Sequence, residues 1–167
     1  EGFLNVDIRK TNATDIVSPA WDITGIKPRT VDLIYSRHTL EHLDPNDARL
    51  ALKHWLELLK DDGYLHVVVP DIEFHAKQIL GLAEAENFND QLQHAYAGFW
   101  GWRDESRGGS KEDAHKWGYS EKLLFAELGN AGFRAWGRIV EGKDSELWQL
   151  NVVSAKSIEV LQSIPDI

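Results

Sequence analysis

The sequence predicts an α/β domain built on a mostly parallel sheet. Two apolar runs, 31–36 and 64–69, are rich in the β-branched and aromatic residues typical of strands. Between them, residues 44–59 repeat apolar side chains at helical spacing. A strand, a helix and a second strand in this order form a βαβ unit. Its two strands are parallel because the helix carries the chain back to the starting end of the sheet. With 167 residues, the chain suits a single domain.

The helix of this unit has sequence signals at both ends. Asp44 can cap its N-terminus, and Pro45 suits its first position because a missing N–H costs nothing there. Residues 60–63, which finish in a glycine, are expected to close the helix as a turn. The apolar stripe expected to face the core is formed by Ala48, Leu52, Trp55 and Leu59.

The remaining elements follow from the same periodicities and from the turn residues between them. They are short strands at 3–7 and 15–17, helical residues 72–97 interrupted near Gly81, a helix at 120–130, and an antiparallel hairpin of 133–141 with 147–154. The tail, 156–167, is expected to be a short helix or disordered.

Residues 98–118 form a glycine-rich, charged and aromatic segment that fits neither helix nor strand. A loop of this length inside a domain usually has a function or is disordered. We expect a lid or acceptor-binding loop, or a contact with a second copy in a homodimer, because the aromatic side chains in and beside it offer flat apolar surfaces. These side chains belong to Tyr96, Phe99, Trp100, Trp102, Trp117 and Tyr119.

A polar cluster follows the first of the two long strands. Ligands of open α/β sheets bind at the carboxyl ends of strands, and Ser36, Arg37 and His38 lie at such an end. The spacing H-x-x-E-H over 38–42 also matches the inverted zinc-protease signature. That signature needs a helix to bring both histidines onto one face, whereas only a short turn separates this strand from the next helix. The sequence therefore favours a strand-end site without a metal, with residues 41–42 in the connection.

The order of these segments resembles that of class I S-adenosylmethionine-dependent methyltransferases. Residues 31–43, 59–65 and 69–71 resemble their fourth and fifth strand region, most closely in the predicted methyltransferases that carry an S-x-H-x-L-E-H-L segment. Residues 2–7 resemble the second strand, and 115–133 resemble the late helix leading into the sixth strand.

The resemblance implies a Rossmann-like methyltransferase sheet with a C-terminal antiparallel hairpin, spanning residues 1–155 and followed by the tail. In this family a first strand and a glycine-rich loop precede the second strand. Only six residues precede Asp7, so we expect the fold to be N-terminally truncated and to lack that strand and loop.

The same resemblance implies S-adenosylmethionine as cofactor. Asp7 corresponds to the acidic residue that holds the ribose hydroxyls. Ala20 and Asp22 correspond to positions near the adenine ring, and Ser36 and Arg37 to backbone that passes under the methionine moiety.

The implied reaction is methyl transfer to a small-molecule or glycan-type acceptor, at a hydroxyl group. His38 at the strand end and His115 in the late loop are the expected catalytic residues, as a base or as acceptor-orienting groups, because imidazole exchanges protons near neutral pH. The alternative is a non-catalytic module that uses the same sheet for interaction.

The composition of the chain excludes several classes of binding partner and site. A net charge of −9 argues against nucleic acid and anionic membrane surfaces. The absence of cysteine excludes disulfides, thiolate metal sites and thiol nucleophiles. No apolar run approaches the ~20 residues of a membrane span, so we expect no membrane partner and a cytoplasmic location.

Overall fold

A computed structural model describes residues 2–164 of the chain as two small sheets flanked by helices. The strands are β1 (Val6–Asp7), β2 (Ile16–Val17), β3 (Val31–Arg37), β4 (Leu59–Pro70), β5 (Ala135–Arg138) and β6 (Gln149–Ala155). The helices are α1 (Pro45–Leu58), α2 (Ile72–Ile79), α3 (Gln91–Trp100), α4 (Glu121–Ala131) and α5 (Ile158–Ser163). Short 3-10 turns lie at Leu40–His42, Glu105–Arg107 and Lys111–Asp113.

The predicted βαβ unit is confirmed. β3 and β4 pair in parallel, with Leu33 opposite Tyr64 and Arg37 opposite Val68, and α1 connects them. The predicted hairpin is also confirmed, since β5 and β6 pair antiparallel. β6 adds antiparallel to β4, which gives the order β3-β4-β6-β5, and β1 pairs in parallel with β2 as a separate sheet. The described strands thus form two parallel and two antiparallel pairs.

The core lies between the larger sheet and the helices α1 and α4. The apolar stripe of α1 is buried as its periodicity predicts, and it packs against alternating residues of β4 and against leucines of α4. Members of this cluster include Ala48, Leu52, Trp55, Leu65, Val67, Val69, Leu124 and Leu128. This packing fixes the positions of the residues at the carboxyl ends of β3 and β4.

The C-terminal end of α1 differs from the prediction. β4 begins at Leu59, immediately after the helix, so the turn expected over residues 60–63 is part of a strand. Leu59 is fully buried and pairs with Val31, and a register irregularity between Val31 and Leu33 accommodates the extra residues. The N-terminal end is as predicted, with Asp44 at the N-cap position and Pro45 first in the helix. The Asp44 carboxylate makes no capping bond, and it accepts a hydrogen bond from Lys116 Nζ at 3.2 Å.

Several other boundaries also shift. The helical region 72–97 is divided into α2 and α3, with residues 80–90 between them, and α3 extends to Trp100, into the predicted loop. Ser120 caps α4 by accepting from Leu123 N–H. The predicted tail contains α5, and its last residues, 165–167, lie outside the described part of the chain.

The segment after β2 attaches the small sheet to α1. Trp55 Nε1 donates to the Ala20 carbonyl at 2.7 Å, and Ile23 N–H donates to His54 Nε2 at 3.0 Å. Trp55 is buried, so this contact holds the loop after β2 against the core. Among the helices of residues 2–164, none is both long enough and apolar enough to cross a bilayer.

Candidate active site

A cleft of about 180 Å³ opens where β3 and β4 end. Both predicted catalytic histidines, His38 and His115, line it. The rest of its wall comes from the end of β4, from α2, from α3 and the residue Trp102 beyond it, and from the residues around the start of β6. Its members are Pro70, His75, His94, Ala97, Gly98, Trp102, Trp148 and Gln149. Four histidines from four separate parts of the chain therefore share one small space.

The end of β3 aims His38 into this cleft. The backbone N–H of His38 donates to the Val68 carbonyl at 2.9 Å, so the parallel pairing of β3 with β4 continues for one residue beyond the strand. Its φ of +49° then turns the chain away from the sheet. Residues other than glycine seldom adopt this left-handed conformation, and histidine is among those that adopt it more readily. The strained turn is held by the ladder on one side and by the 3-10 turn at 40–42 on the other.

Both ring nitrogens of His38 face oxygen atoms. Nδ1 lies 2.9 Å from Glu41 Oε1, and Nε2 lies 3.1 Å from Gln149 Oε1. Gln149 Nε2 donates to Glu146 Oε2 at 2.7 Å, which fixes the Gln149 oxygen toward the histidine. The buried carboxylate of Glu41 orients the imidazole and accepts from Nδ1 in the tautomer that carries its proton there. Nε2 is the atom presented to the cleft.

The 3-10 turn that carries Glu41 is bonded to the segment that carries His115. The Glu41 carbonyl accepts from Lys116 N–H at 2.8 Å and from Trp117 N–H at 3.1 Å. His42 Nδ1 lies 3.1 Å from the Ala114 carbonyl. These bonds join residues more than 70 positions apart and bring His115 to the end of β3.

His115 is held from two directions. The backbone N–H of His115 donates to the Trp100 carbonyl at 3.2 Å, and the ring Nδ1 lies 3.0 Å from the Gly98 carbonyl. Burial lowers its pKa below the ordinary value, and the positive charge that His42 and His38 can carry acts in the same direction. Glu41 and the Gly98 carbonyl oppose this shift without cancelling it. At neutral pH the ring is therefore uncharged. Its one proton is on Nδ1, which donates to the Gly98 carbonyl, and Nε2 keeps a free lone pair.

A second histidine pair forms the rear wall. His75 Nδ1 and His94 Nδ1 both approach Gln78 Oε1, at 3.2 and 3.1 Å. His94 stacks on Phe88 with ring centroids 3.8 Å apart and meets Trp148 edge to face at 5.4 Å. Burial, and then repulsion from His75, lowers the pKa of His94 to about 4.

Folding stability should therefore decline in mild acid. Below pH 6.5 the unfolded chain binds a proton at His94 that the folded chain excludes, so the stability is full above pH 6.5 and falls as the pH approaches 4. We expect a loss of about 2 to 3 kcal/mol over this window. Urea unfolding of the wild type and of His94→Phe at several pH values measures it. The variant should lose less stability on acidification, and equal slopes would contradict the assignment to His94.

The residues predicted to bind the cofactor fall into two groups. Asp7 ends β1, where its Oδ1 accepts from Arg9 N–H at 2.7 Å while the side chain stays 41% exposed. Ala20 lies against α1, where its carbonyl accepts from Trp55. Asp22, two residues later, is exposed, and its backbone carbonyl accepts from Ser18 Oγ at 2.6 Å. None of these three lines the histidine cleft.

The second group lies at the end of β3, directly before His38. Ser36 is buried, and its Oγ has no hydrogen-bond partner within the described residues. Arg37 Nε donates to Asp144 Oδ1 at 2.9 Å, and Tyr35 donates to the other carboxylate oxygen at 2.7 Å. Burial raises the pKa of Asp144, but the bonds from Tyr35 and Arg37 outweigh it and leave that pKa below its usual value. Arg37 is therefore already paired, with 47% of its side chain exposed.

The structure brings His38 and His115, the two expected catalytic residues, to one cleft, together with side chains that the sequence did not single out for the site. Glu41 had a signal, since it belongs to the H-x-x-E-H spacing. No local sequence pattern indicated His75, His94 or Gln149, because each reaches the cleft only through the packing of its own helix or strand.

The sheet with its parallel β3 and β4, its C-terminal hairpin and a polar cleft at the strand ends has the character of a Rossmann-like α/β fold. The chain belongs to the methyltransferase family described as "Methyltransferase domain", whose family model matches residues 4–136. This match confirms the resemblance to class I S-adenosylmethionine-dependent methyltransferases. A search of curated proteins found no match.

Solved structures share the fold at low sequence identity. A SAM-dependent methyltransferase from Methanosarcina mazei is 14% identical with a TM-score of 0.54, over 90% of this chain and 80% of that one. The 1,6-didemethyltoxoflavin-N1-methyltransferase of Burkholderia thailandensis, whose structure contains S-adenosylhomocysteine, is 14% identical with a TM-score of 0.53. The match covers 91% of this chain and 60% of that one. A SAM-dependent methyltransferase from Thermotoga maritima is 18% identical with a TM-score of 0.50, over 83% and 61%. The chain thus spans about three fifths of two of these proteins.

Proposed function

We propose that the protein transfers a methyl group from S-adenosylmethionine to a small-molecule or glycan-type acceptor, at a hydroxyl. The observation that carries the proposal is the cleft at the end of β3, where His38 presents Nε2 beside His115 in a chain of the methyltransferase-domain family. The Burkholderia protein, whose name gives a small heterocyclic acceptor, supports an acceptor of similar size.

The cofactor would lie along the carboxyl ends of the strands. Asp7 has an exposed carboxylate able to accept both ribose hydroxyls, and Ala20 and Asp22 would flank the adenine. The unpartnered Ser36 Oγ and the exposed part of Arg37 would meet the methionine moiety, whose carboxylate suits a guanidinium.

The chemistry needs little beyond alignment and one proton acceptor. When bound, S-adenosylmethionine would supply an electrophilic methyl group to an acceptor oxygen held in line with its carbon–sulfur bond, with S-adenosylhomocysteine as the leaving group. The hydroxyl proton passes to His38 Nε2, with Glu41 stabilising the resulting imidazolium through Nδ1. The acceptor hydroxyl would take the place of Gln149 Oε1, now 3.1 Å from that nitrogen. His115, which lines the same cleft, would orient the acceptor.

Titration with S-adenosylhomocysteine tests the cofactor side. We expect saturable binding by calorimetry, weakened at least tenfold by Asp7→Ala, because the variant loses two charge-assisted hydrogen bonds worth about 1.5 kcal/mol or more. Asp62→Ala, which removes an exposed carboxylate elsewhere on the surface, should leave the Kd unchanged. Absence of binding by the wild type, or equal binding by both variants, would contradict this cofactor site.

A further inference from the structure

Glu41, His42 and His115 form a cluster that could hold a metal ion. Each offers one ligand atom, and the three atoms lie within 4.8 Å of one another. The rings of His42 and His115 meet edge to face, with centroids 4.9 Å apart. Two segments distant in sequence supply the three side chains, and the backbone bonds of Glu41 to residues 116 and 117 hold those segments together.

The carboxylate of Glu41 has an unfilled position. The residue is 1% exposed, and Oε1 is bonded to His38, but Oε2 is buried without any hydrogen-bond partner in the described part of the chain. Leaving a buried, charged oxygen unpaired costs at least about 1–3 kcal/mol. A cation beside Oε2 removes that cost.

Both histidines are prepared as ligands. His42 Nδ1 faces the Ala114 carbonyl at 3.1 Å, and His115 Nδ1 faces the Gly98 carbonyl at 3.0 Å. A carbonyl only accepts, so each Nδ1 must carry the proton and each Nε2 must keep its lone pair. This arrangement, in which backbone oxygens fix the tautomer, is the usual outer shell of metal-binding histidines.

We propose that Glu41 Oε2, His42 Nε2 and His115 Nε2 bind one divalent transition-metal ion of the Zn²⁺ type. Two imidazoles and one carboxylate form a known ligand set for zinc with an open fourth position. Bonds of about 2.1 Å in a tetrahedron separate the ligand atoms by about 3.4 Å, so the side chains close inward modestly on binding. The site departs from the metal-free expectation of the sequence analysis, and from the H-x-x-E-H signature as well, because His115 takes the place that the signature gives to His38.

Metal binding does not depend on the proposed methyl transfer. The ion would lie at the wall of the cleft that His38 and His115 share, where its open position could hold an acceptor oxygen. That second role does rest on the proposed function, so the test reads binding alone, without cofactor or acceptor.

The test uses Co²⁺ and Zn²⁺ with the chelator-treated full chain. We expect one Co²⁺ per chain with visible ligand-field absorption, displaced by Zn²⁺, and a melting temperature raised by Zn²⁺ because the ion binds only the folded state. Glu41→Gln and His115→Ala should each weaken binding by more than the 10- to 100-fold typical of losing an outer partner. Glu41→Gln keeps the shape of the side chain, so its metal-free melting curve shows whether the fold survives.

His66→Ala is the matched control, since His66 is a half-buried histidine on β4 that contacts Asn151 and Tyr35 and not the cluster. It should bind Co²⁺ as the wild type does. The proposal is overturned if the wild type shows no saturable binding, or if Glu41→Gln and His115→Ala bind as tightly as His66→Ala, which would place the ion elsewhere.

Discussion

Replacing His38 by alanine is expected to lower the rate of methyl transfer by 10²- to 10⁴-fold, the range typical of losing a positioned general base. The binding of S-adenosylhomocysteine should change less than about twofold, because the side-chain contacts of His38 are with Glu41 and Gln149 and not with the residues proposed for the cofactor. The rate is measured as S-adenosylhomocysteine formed with an acceptor selected from a panel of hydroxyl compounds, and the Kd by calorimetry.

This separation between kcat and Kd distinguishes catalysis from damage to the fold. Glu41→Gln should produce a smaller loss of kcat, because the amide keeps contact with His38 Nδ1 but cannot stabilise its charged form as a carboxylate does. His66→Ala removes a histidine from β4 and should leave kcat within a few-fold. A wild-type rate in His38→Ala would exclude His38 as the base.

Adding one methyl group at Gly98 should destabilise the protein by about 2 to 3 kcal/mol. A Cβ built at this position overlaps the imidazole of His75. That ring is 2% exposed and held by Gln78, so it cannot move aside without disturbing the contact between α2 and α3. The free energy of unfolding of Gly98→Ala, measured with urea at pH 7.5, tests this packing.

Gly129→Ala is the matched control in another helix. Its Cβ would meet only the far end of the Trp136 ring, at 3.2 Å, and alanine favours a helix over glycine by about 0.5–1 kcal/mol. We expect this variant to be as stable as the wild type or slightly more stable. If Gly98→Ala were equally stable, α2 and α3 would not be packed as closely as described here.

Elements with a strong local pattern could be predicted. The apolar stripe of α1 and the β-branched runs of β3 and β4 have the periods of a helix and of buried strands, so their types and their parallel pairing followed directly. Errors arose where local signals competed with tertiary contacts. Gly63 suggested a turn, yet pairing of the buried Leu59 with Val31 extends β4 through it. Asp44 is the N-cap residue as predicted, but its carboxylate accepts from Lys116 and makes no bond to the first turn of the helix.

The sequence by itself determined the fold class and the strand end that carries His38, because both depend on residues close together in the chain. Only the tertiary structure decided which side chains share the site. The hydrogen bonds from residues 116 and 117 to the Glu41 carbonyl bring His115 beside His42, and the packing of α2 on α3 adds His75 and His94. No periodicity encodes these contacts, since they depend on how separately formed elements satisfy one another's buried polar groups.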